Sequence, residues 1–321
     1  MMKKPLIVLT GPTAVGKTKL SIDLAKAVGG EIISADSMQV YKYMDIGSAK
    51  IRQSEMKGVP HYLVDVLDPA EEFHIVKFQK MAKAAMEQIY ANGHIPILVG
   101  GTGFYIQAIV RDIDFTENEE NPGVRAKWEQ YAKVHGAESL HEELRKIDPK
   151  SADSIPAGNV KRVVRALEFY ELSGKRISEH NEEQKAKDSP YHFAYFVLND
   201  HRALLYERIE KRIDEMLKEG LVAEVQGLKD KGFTRNMVSM QGLGYKEILD
   251  YLDGKLTFEE AVSILKRDTR HFAKRQLTWF RREPEVTWIQ KYEYDYDHEK
   301  ILAAMLAVLK DKGIIGETDG N

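Results

Sequence analysis

Short apolar runs alternate with helical periodicity through the first third of the chain. Residues 6–10, 31–35, 62–66, 95–99, 193–198 and 286–289 form six runs that read as buried strands. Between them Leu20, Leu24, Ala27 and Val28 recur at helical spacing, as do Ile75, Phe78, Ala82, Ala85, Met86 and Ile89 after Asp68-Pro69. Strands alternating with helices predict a parallel sheet covered on both faces. Ligands of such a sheet bind beyond the carboxyl ends of its strands. The first four runs end at Gly11, at Asp36, at residues 65–68 and at Gly100-Gly101-Thr102-Gly103, so these four tips are expected to line one crevice.

From residue 112 to 189 the alternation stops. Helices are expected over 124–134, 139–147 and 159–173, punctuated by Asp148-Pro149, Pro156-Ala157-Gly158 and Ser173-Gly174. The prediction is an all-helical lobe, 112–189, inserted into a core formed by 1–111 and 190–321. Lobes of this kind commonly cover or clamp a substrate.

The first run leads directly into Gly11-Pro12-Thr13-Ala14-Val15-Gly16-Lys17-Thr18, a GxxxxGKT pattern between a strand and a helix. Glycines permit a loop whose backbone N–H groups converge on phosphate oxygens. Lys17 adds a point charge, and the Thr18 hydroxyl is the expected ligand of Mg²⁺. The helix that follows turns its positive dipole end to the same anion. The fold class is therefore α/β, a P-loop NTPase-like parallel sheet flanked by helices.

Other candidates surround this loop. Asp36 ends the second strand, where a carboxylate can accept a proton or help hold Mg²⁺; a turn or helix-cap aspartate is the competing reading. Gly100, Gly101 and Gly103 stand where many phosphate-loop enzymes place an acid. Bare backbone there admits a bulky substrate or simply makes a tight turn, and the missing acid argues against ATP hydrolysis. Arg208 and Arg212 are four apart, beside the apolar stripe Leu205, Ile209, Ile213, Met216 and Leu217. They can reach a diphosphate, or pair with Glu207, Glu210 or Glu215.

Net charge is −3, which argues weakly against nucleic acid, but the charge is segregated. Residues 266–282 hold seven Lys/Arg: Lys266, Arg267, Arg270, Lys274, Arg275, Arg281 and Arg282. Arg267, Arg270, Lys274 and Arg281 form one helical stripe, and Leu265, Phe272 and Trp279 form another. That face lacks the acids of a neutral surface helix and suits a polyanion. Residues 117–121 are acidic instead. Lys161-Arg162-Val163-Val164-Arg165 in the lobe reads, by itself, as a solvated charged face. Ser239-Met240-Gln241-Gly242-Leu243-Gly244-Tyr245 is loop-like; Gln241 can bond a base edge and Tyr245 can stack, although a plain loop fits equally.

The 43 % hydrophobic and 30 % charged composition is that of a globular protein. No apolar run is long enough for a membrane span, and the start of the chain lacks a signal-peptide pattern. With no cysteine there are no disulfides or thiolate metal sites, and the ten histidines make no HExxH pair. A cytoplasmic location is expected.

The order of motifs resembles the bacterial tRNA dimethylallyltransferases (tRNA isopentenyltransferases). The matching stretches are GPTAVGKT from Gly11, ISADSMQVYKYMDIGSAK from Ile33, ILVGGTGFY from Ile97, KRVVRALE from Lys161, RIEKRIDEML from Arg208, QGLGYKE from Gln241 and KRQLTWFRR from Lys274. The resemblance implies transfer of a dimethylallyl group from dimethylallyl diphosphate to N6 of adenine 37 in tRNA. The phosphate loop and Arg208 would then bind the leaving diphosphate. Lys17, Mg²⁺ on Thr18, and Arg212 would neutralise the charge that builds on it, and Asp36 would be the general base. It further implies that tRNA, at its anticodon stem-loop, meets Asp36, Ser37, Met38, Gln39, Thr102, Arg125, Lys161, Arg162, Val163, Val164, Arg165, Gln241, Gly242, Gly244, Tyr245, Lys274, Arg275 and Arg281. Glycines 100, 101 and 103 would make room for base and prenyl chain. No membrane or obligate protein partner is implied. Without the resemblance, a small-molecule kinase using ATP on the same loop is the leading alternative, ahead of a prenyltransferase acting on free AMP or ADP, or a non-enzymatic RNA-binding protein.

Overall fold

The computed structural model describes residues 3–115 and 122–316. The acidic run at 117–121 and the last five residues lie outside them. By contacts the chain divides into two units, Met1–Val110 with Pro190–Asn321, and Arg111–Ser189.

The first unit is built on one six-stranded sheet, all parallel, in the order β3-β2-β4-β1-β5-β6. Its strands are β1 (Lys4–Thr10), β2 (Gly30–Ser34), β3 (His61–Tyr62), β4 (Ile95–Gly100), β5 (Tyr191–Asn199) and β6 (Val286–Gln290). Helices α1 (Lys17–Val28), α2 (Ile75–Ala91) and α3 (Gly103–Val110) connect the early strands. β1 is central because it is apolar on both faces: Leu6, Ile7, Val8 and Leu9 are fully buried, as Ala194, Phe196 and Val197 are on β5. Phe78, Ala82, Ala85, Met86 and Ile89 form the buried stripe of α2, the spacing seen in the sequence.

The third strand is shorter than its apolar run suggests. Leu63 and Asp65 take left-handed backbone (φ 62° and 58°), which ends β3 at Tyr62. The chain then hydrogen-bonds back to the segment after β2, through Asp65 N to Gln39 O and Val66 N to Val40 O.

The second unit is all-helical among its described residues: α4 (Pro122–Ile147), α5 (Pro149–Ser154), α6 (Val160–Ser173) and α7 (Ile177–Ala186). Gly136, with φ 85° and ψ 165°, interrupts α4, which matches the break expected between two helices there. Leu140, Leu144, Val163, Val164, Ala166 and Leu167 form its own core. Asp148 caps α5 and ties it to α7, accepting from N and Oγ of both Ser151 and Ser178 at 2.7–3.1 Å. Burial would raise its pKa, but these four donors outweigh burial and hold it below the ordinary value.

After β5 the first unit continues through α8 (Arg202–Glu219), α9 (Leu221–Asp230), a 3₁₀ turn (Ser239–Gln241), α10 (Tyr245–Leu252), α11 (Phe258–Phe280) and, beyond β6, a second 3₁₀ turn (Lys291–Tyr294) and α12 (His298–Asp311). The first turn replaces the expected loop.

Candidate active site

A cavity of about 460 Å³ opens beyond the tips of β1, β2 and β4. Thr13, Ala14, Gly16, Lys17 and Thr18 wall it, with Asp36, Gln39, Ser48, Gly101, Arg208, Lys211, Arg212, Glu215, Phe272 and Gln276. Three of the four predicted tips meet there. Residues 65–68 do not line it, and Asp65 instead takes the Lys50 ammonium at 2.8 Å.

The phosphate loop depends on left-handed backbone at Gly11 (φ 147°), Ala14 (φ 61°) and Gly16 (φ 98°). A Cβ on Gly11 would lie 2.4 Å from Leu198 O of β5, so the loop fits only without a side chain. Lys17 Nζ donates to Gly11 O and Pro12 O, both at 2.9 Å. Burial, then the nearby Arg212, push its pKa down to about 8, while Asp36 opposes them. Burial likewise lowers Arg212, with Asp36 again opposing. Four cations (Lys17, Arg208, Lys211, Arg212) face two carboxylates (Asp36, Glu215) across the cavity, a surplus that suits a polyanion.

Asp36 is both a turn residue and a site residue. Its Oδ1 accepts from Met38 N (2.8 Å) and Gln39 N (3.3 Å), and among the described residues nothing bonds Oδ2. The loop after it is clamped from outside. Glu224 on α9 accepts from Asp45 N, Ile46 N and Gly47 N at 2.7–3.1 Å and from Tyr245 Oη at 2.8 Å. Lys50, nearly buried, bonds Tyr41 O and Asp45. Gln39 Nε2 donates to Ala49 O at 3.1 Å, closing the loop on itself.

Gln276 of α11, which sequence reasoning missed, ties the two sides of the cavity. Its Oε1 accepts from Thr13 N and its Nε2 donates to Gly101 O, each at 2.9 Å. Nothing distinguishes it in sequence beyond its presence in the KRQLTWFRR stretch. The neighbouring glycines are bare for the protein's own sake, which corrects the expectation of room for base and prenyl chain. A Cβ would lie 2.2 Å from Ala35 O at Gly100, from Gln276 Nε2 at Gly101 and from Trp279 Cδ1 at Gly103. Thr102 between them donates its backbone N–H to Ala35 O.

Several expected tRNA contacts sit differently from the sequence reading. Val163 and Val164 are buried in the helical lobe's core, and only Lys161, Arg162 and Arg165 of that stretch are exposed. Arg165 and Arg125 both bond the buried Glu168 carboxylate, at 3.1 and 2.9 Å. The Tyr245 ring is fully buried against Gly47, where it cannot stack on a base. Gly244 N donates to Glu247, and a Cβ on Gly242 would meet Met38 Cε at 2.5 Å. Gln241 is exposed but bonded to Arg235. Ser37 and Met38 are half-buried.

The basic stripe of α11 is divided. Lys266 pairs with Asp214 (2.6 Å), Arg267 with Asp268 (2.8 Å) and Arg270 with Glu210, so acids missing from the helical pattern arrive mainly from α8. Lys274, Arg275, Arg281 and Arg282 are exposed and have no ion pair among the described residues. A shallow cavity of about 410 Å³ lies among His271, Lys274, Arg275, Thr278, Trp279 and Arg282. The exposed Phe104 meets the Trp279 ring edge-on at 6.1 Å beside it.

Residues 39–283 match the model of the family described as IPP transferase. The chain is 58 % identical over 312 residues to the tRNA dimethylallyltransferase of Lachnoclostridium phytofermentans, covering 97 % of this chain and 99 % of that one. It is 50 % identical to that of Carboxydothermus hydrogenoformans over 89 % and 92 %. The crystal structure of the full-length tRNA isopentenylpyrophosphate transferase from Bacillus halodurans superposes with a TM-score of 0.73 at 43 % identity, covering 97 % and 98 %. A eukaryotic dimethylallyltransferase captured acting on tRNA gives 0.82 at 29 % identity, over 98 % of this chain and 81 % of the other. The chain belongs to the IPP transferase family.

Proposed function

We propose that the protein transfers the dimethylallyl group of dimethylallyl diphosphate to N6 of adenine 37 in tRNA and releases diphosphate. One observation carries this reading: the Asp36 carboxylate, with Oδ2 unbonded among the described residues, lines the same cavity as Lys17, Thr18 and Arg212. An acceptor amine and a departing diphosphate need those two kinds of group side by side.

In this mechanism the amine nitrogen attacks C1 of the donor, the C1–O bond breaks, and the electron pair leaves on diphosphate. Lys17, Arg212 and the loop N–H groups stabilise that charge where it develops. Asp36 Oδ2 accepts the N6 proton as the C–N bond forms; the alkylated amine is acidic enough for an ordinary carboxylate. Arg208 binds the diphosphate further out. The hard oxygen donors, Thr18 hydroxyl and Asp36 carboxylate, fit Mg²⁺, which typically takes one or two protein ligands and completes its shell with phosphate and water. Thr18 would hold it, and it would add leaving-group stabilisation. Among the described residues no group of three or more His, Cys, Asp or Glu is arranged to hold a metal ion, so the substrate oxygens would supply most ligands.

Lys274, Arg275, Arg281, Phe104 and, in the lobe, Lys161 and Arg162 offer the exposed cationic and aromatic groups that RNA recognition uses. The acceptor base leaves its stack to reach the cavity, at a cost of a few kcal/mol. A tRNA substrate supports a cytoplasmic location; among the described residues no helix is long and apolar enough to cross a membrane.

The test incubates the protein with Mg²⁺, labelled dimethylallyl diphosphate and unmodified tRNA carrying adenines at positions 36–38. Label in the tRNA is expected. ATP consumed at its terminal phosphate, with the isoprenoid donor untouched, would overturn the proposal in favour of a kinase.

A further inference from the structure

Asp200 follows the last residue of β5, and β5 lies beside β1 in register through Thr10↔Val197, so the strand tip delivers this acid to the flank of the phosphate loop. Its side chain is 0 % exposed. Oδ2 accepts from Arg208 Nη1 at 2.6 Å, and Oδ1 accepts from His201 N at 2.7 Å and Tyr296 Oη at 3.1 Å. A carboxylate so deeply buried is tolerated only when paired and hydrogen-bonded, and here three donors satisfy it. Among the described residues Arg208 is the only cavity-lining residue that it hydrogen-bonds. The guanidinium has five N–H groups, and Asp200 takes one, which leaves the rest for an anion. On the outer side of the loop, Lys291 Nζ donates to Val15 O at 3.3 Å.

We propose that Asp200, steadied by Tyr296, is a positioning residue that holds the Arg208 guanidinium against the cavity wall so that it meets the diphosphate already oriented. The inference rests on the reading of the cavity as a diphosphate site. An arginine on a flexible stem loses side-chain freedom when it binds an anion; fixing it in advance removes that loss from the binding step. It also spaces the positive charge along the cavity. Arg212 lines the cavity with Asp36, and Arg208, one helical turn earlier, lines it while anchored to Asp200.

The experiment titrates inorganic pyrophosphate with Mg²⁺ into the full chain by calorimetry, for wild type, Asp200→Asn, Arg208→Gln and the double variant, with thermal melts alongside. Each single change is expected to weaken binding about tenfold, the loss of one charge-assisted hydrogen bond. The double variant is expected to bind no worse than Arg208→Gln, because Asp200 acts only through Arg208. In turnover, KM for dimethylallyl diphosphate should rise in step while KM for tRNA stays at the wild-type value. Asp200→Asn binding as tightly as wild type, or losses that add in full in the double variant, would overturn the inference alone. Wild type that takes up no pyrophosphate overturns the diphosphate reading and this inference with it. Should Asp200→Asn fail to fold, Tyr296→Phe decides: its ring is exposed, and removal of the hydroxyl should weaken binding about twofold in wild type and leave Arg208→Gln unchanged. No weakening in wild type would sink the proposal.

Discussion

The two sides of the cavity that we assign to the diphosphate and to the acceptor are built in opposite ways. Eight consecutive residues, Gly11 to Thr18, form the loop of the first, whose chemistry is carried by backbone, the Lys17 ammonium and the Thr18 hydroxyl, and Arg208 and Arg212 of α8 join it. The second is a single carboxylate, Asp36, fixed by its own turn at Met38 N and Gln39 N, and the loop that follows it is clamped from elsewhere in the chain by Glu224 through the backbone of residues 45–47. The loop of the anion site needs only a strand, a turn and a helix, and α8 adds the two arginines. An assembled base needs most of the fold in place. The two sides should therefore be separable by mutation, and the acceptor side should fail first when packing loosens.

The largest effect should come from Asp36→Ala. Losing a general base costs about 10²–10⁴-fold in rate, so kcat should fall by that order while pyrophosphate affinity and tRNA affinity stay within about twofold. Rapid-quench turnover with parallel binding titrations separates these. Equal loss of pyrophosphate affinity would show that the two sides are one unit.

Gln276→Ala attacks the tie between the two sides. It leaves Thr13 N and Gly101 O without their partner, and a displacement of about 1 Å at a reacting group can cost on the order of 10²-fold. The expected outcome is a kcat decrease approaching that size with a smaller rise in KM for the donor, and a loss of about 1–3 kcal/mol in stability from the unpaired groups. Unchanged kcat in a variant that melts early would reduce Gln276 to packing.

How much of this was legible follows the same division. The parallel sheet, the helical lobe and the phosphate loop came from local signals: apolar runs on β1 and β5, the 3–4 spacing on α2, the GxxxxGKT spacing. What the sequence misled about depended on partners distant along the chain. Gly100, Gly101 and Gly103 look like open space for a ligand, yet Ala35, Gln276 and Trp279 fill it. Tyr245 looks like a stacking ring and is a buried donor to Glu224. Val163 and Val164 sit among basic residues and face inward because α6 has one apolar stripe to bury. β3 is cut short because Leu63 and Asp65 adopt backbone that composition does not announce.

A pH effect should belong to the phosphate side alone. Burial, with Arg212, holds the Lys17 pKa at about 8, so above that pH the free site carries a neutral amine. A bound diphosphate favours the ammonium, so binding must take up a proton. Affinity is therefore steady below about pH 8 and weakens above it by up to about tenfold per pH unit. KM for dimethylallyl diphosphate should follow that curve while kcat at saturating donor changes far less. Calorimetry of pyrophosphate binding at pH 8.5 in two buffers of different ionisation enthalpy should register proton uptake; none would remove Lys17 from the binding role.

The smallest effect sharpens the comparison on a second surface, α11, where a pattern visible in sequence was again divided by distant partners. Arg270 is held by Glu210, whereas Arg281 has no acid partner among the described residues. Arg281→Ala should weaken tRNA binding several-fold and reduce the slope of log K against log salt by about one, the signature of one lost phosphate contact. Arg270→Ala should leave that slope unchanged and cost at most about 1 kcal/mol of stability, since the pair it breaks is partly exposed. The salt slope is the deciding quantity, because misfolding lowers affinity at every salt concentration alike. Equal slopes for the two variants would mean that the acids of α8 do not withdraw half of the stripe from the RNA, and that the basic face acts as the undivided surface its sequence suggests.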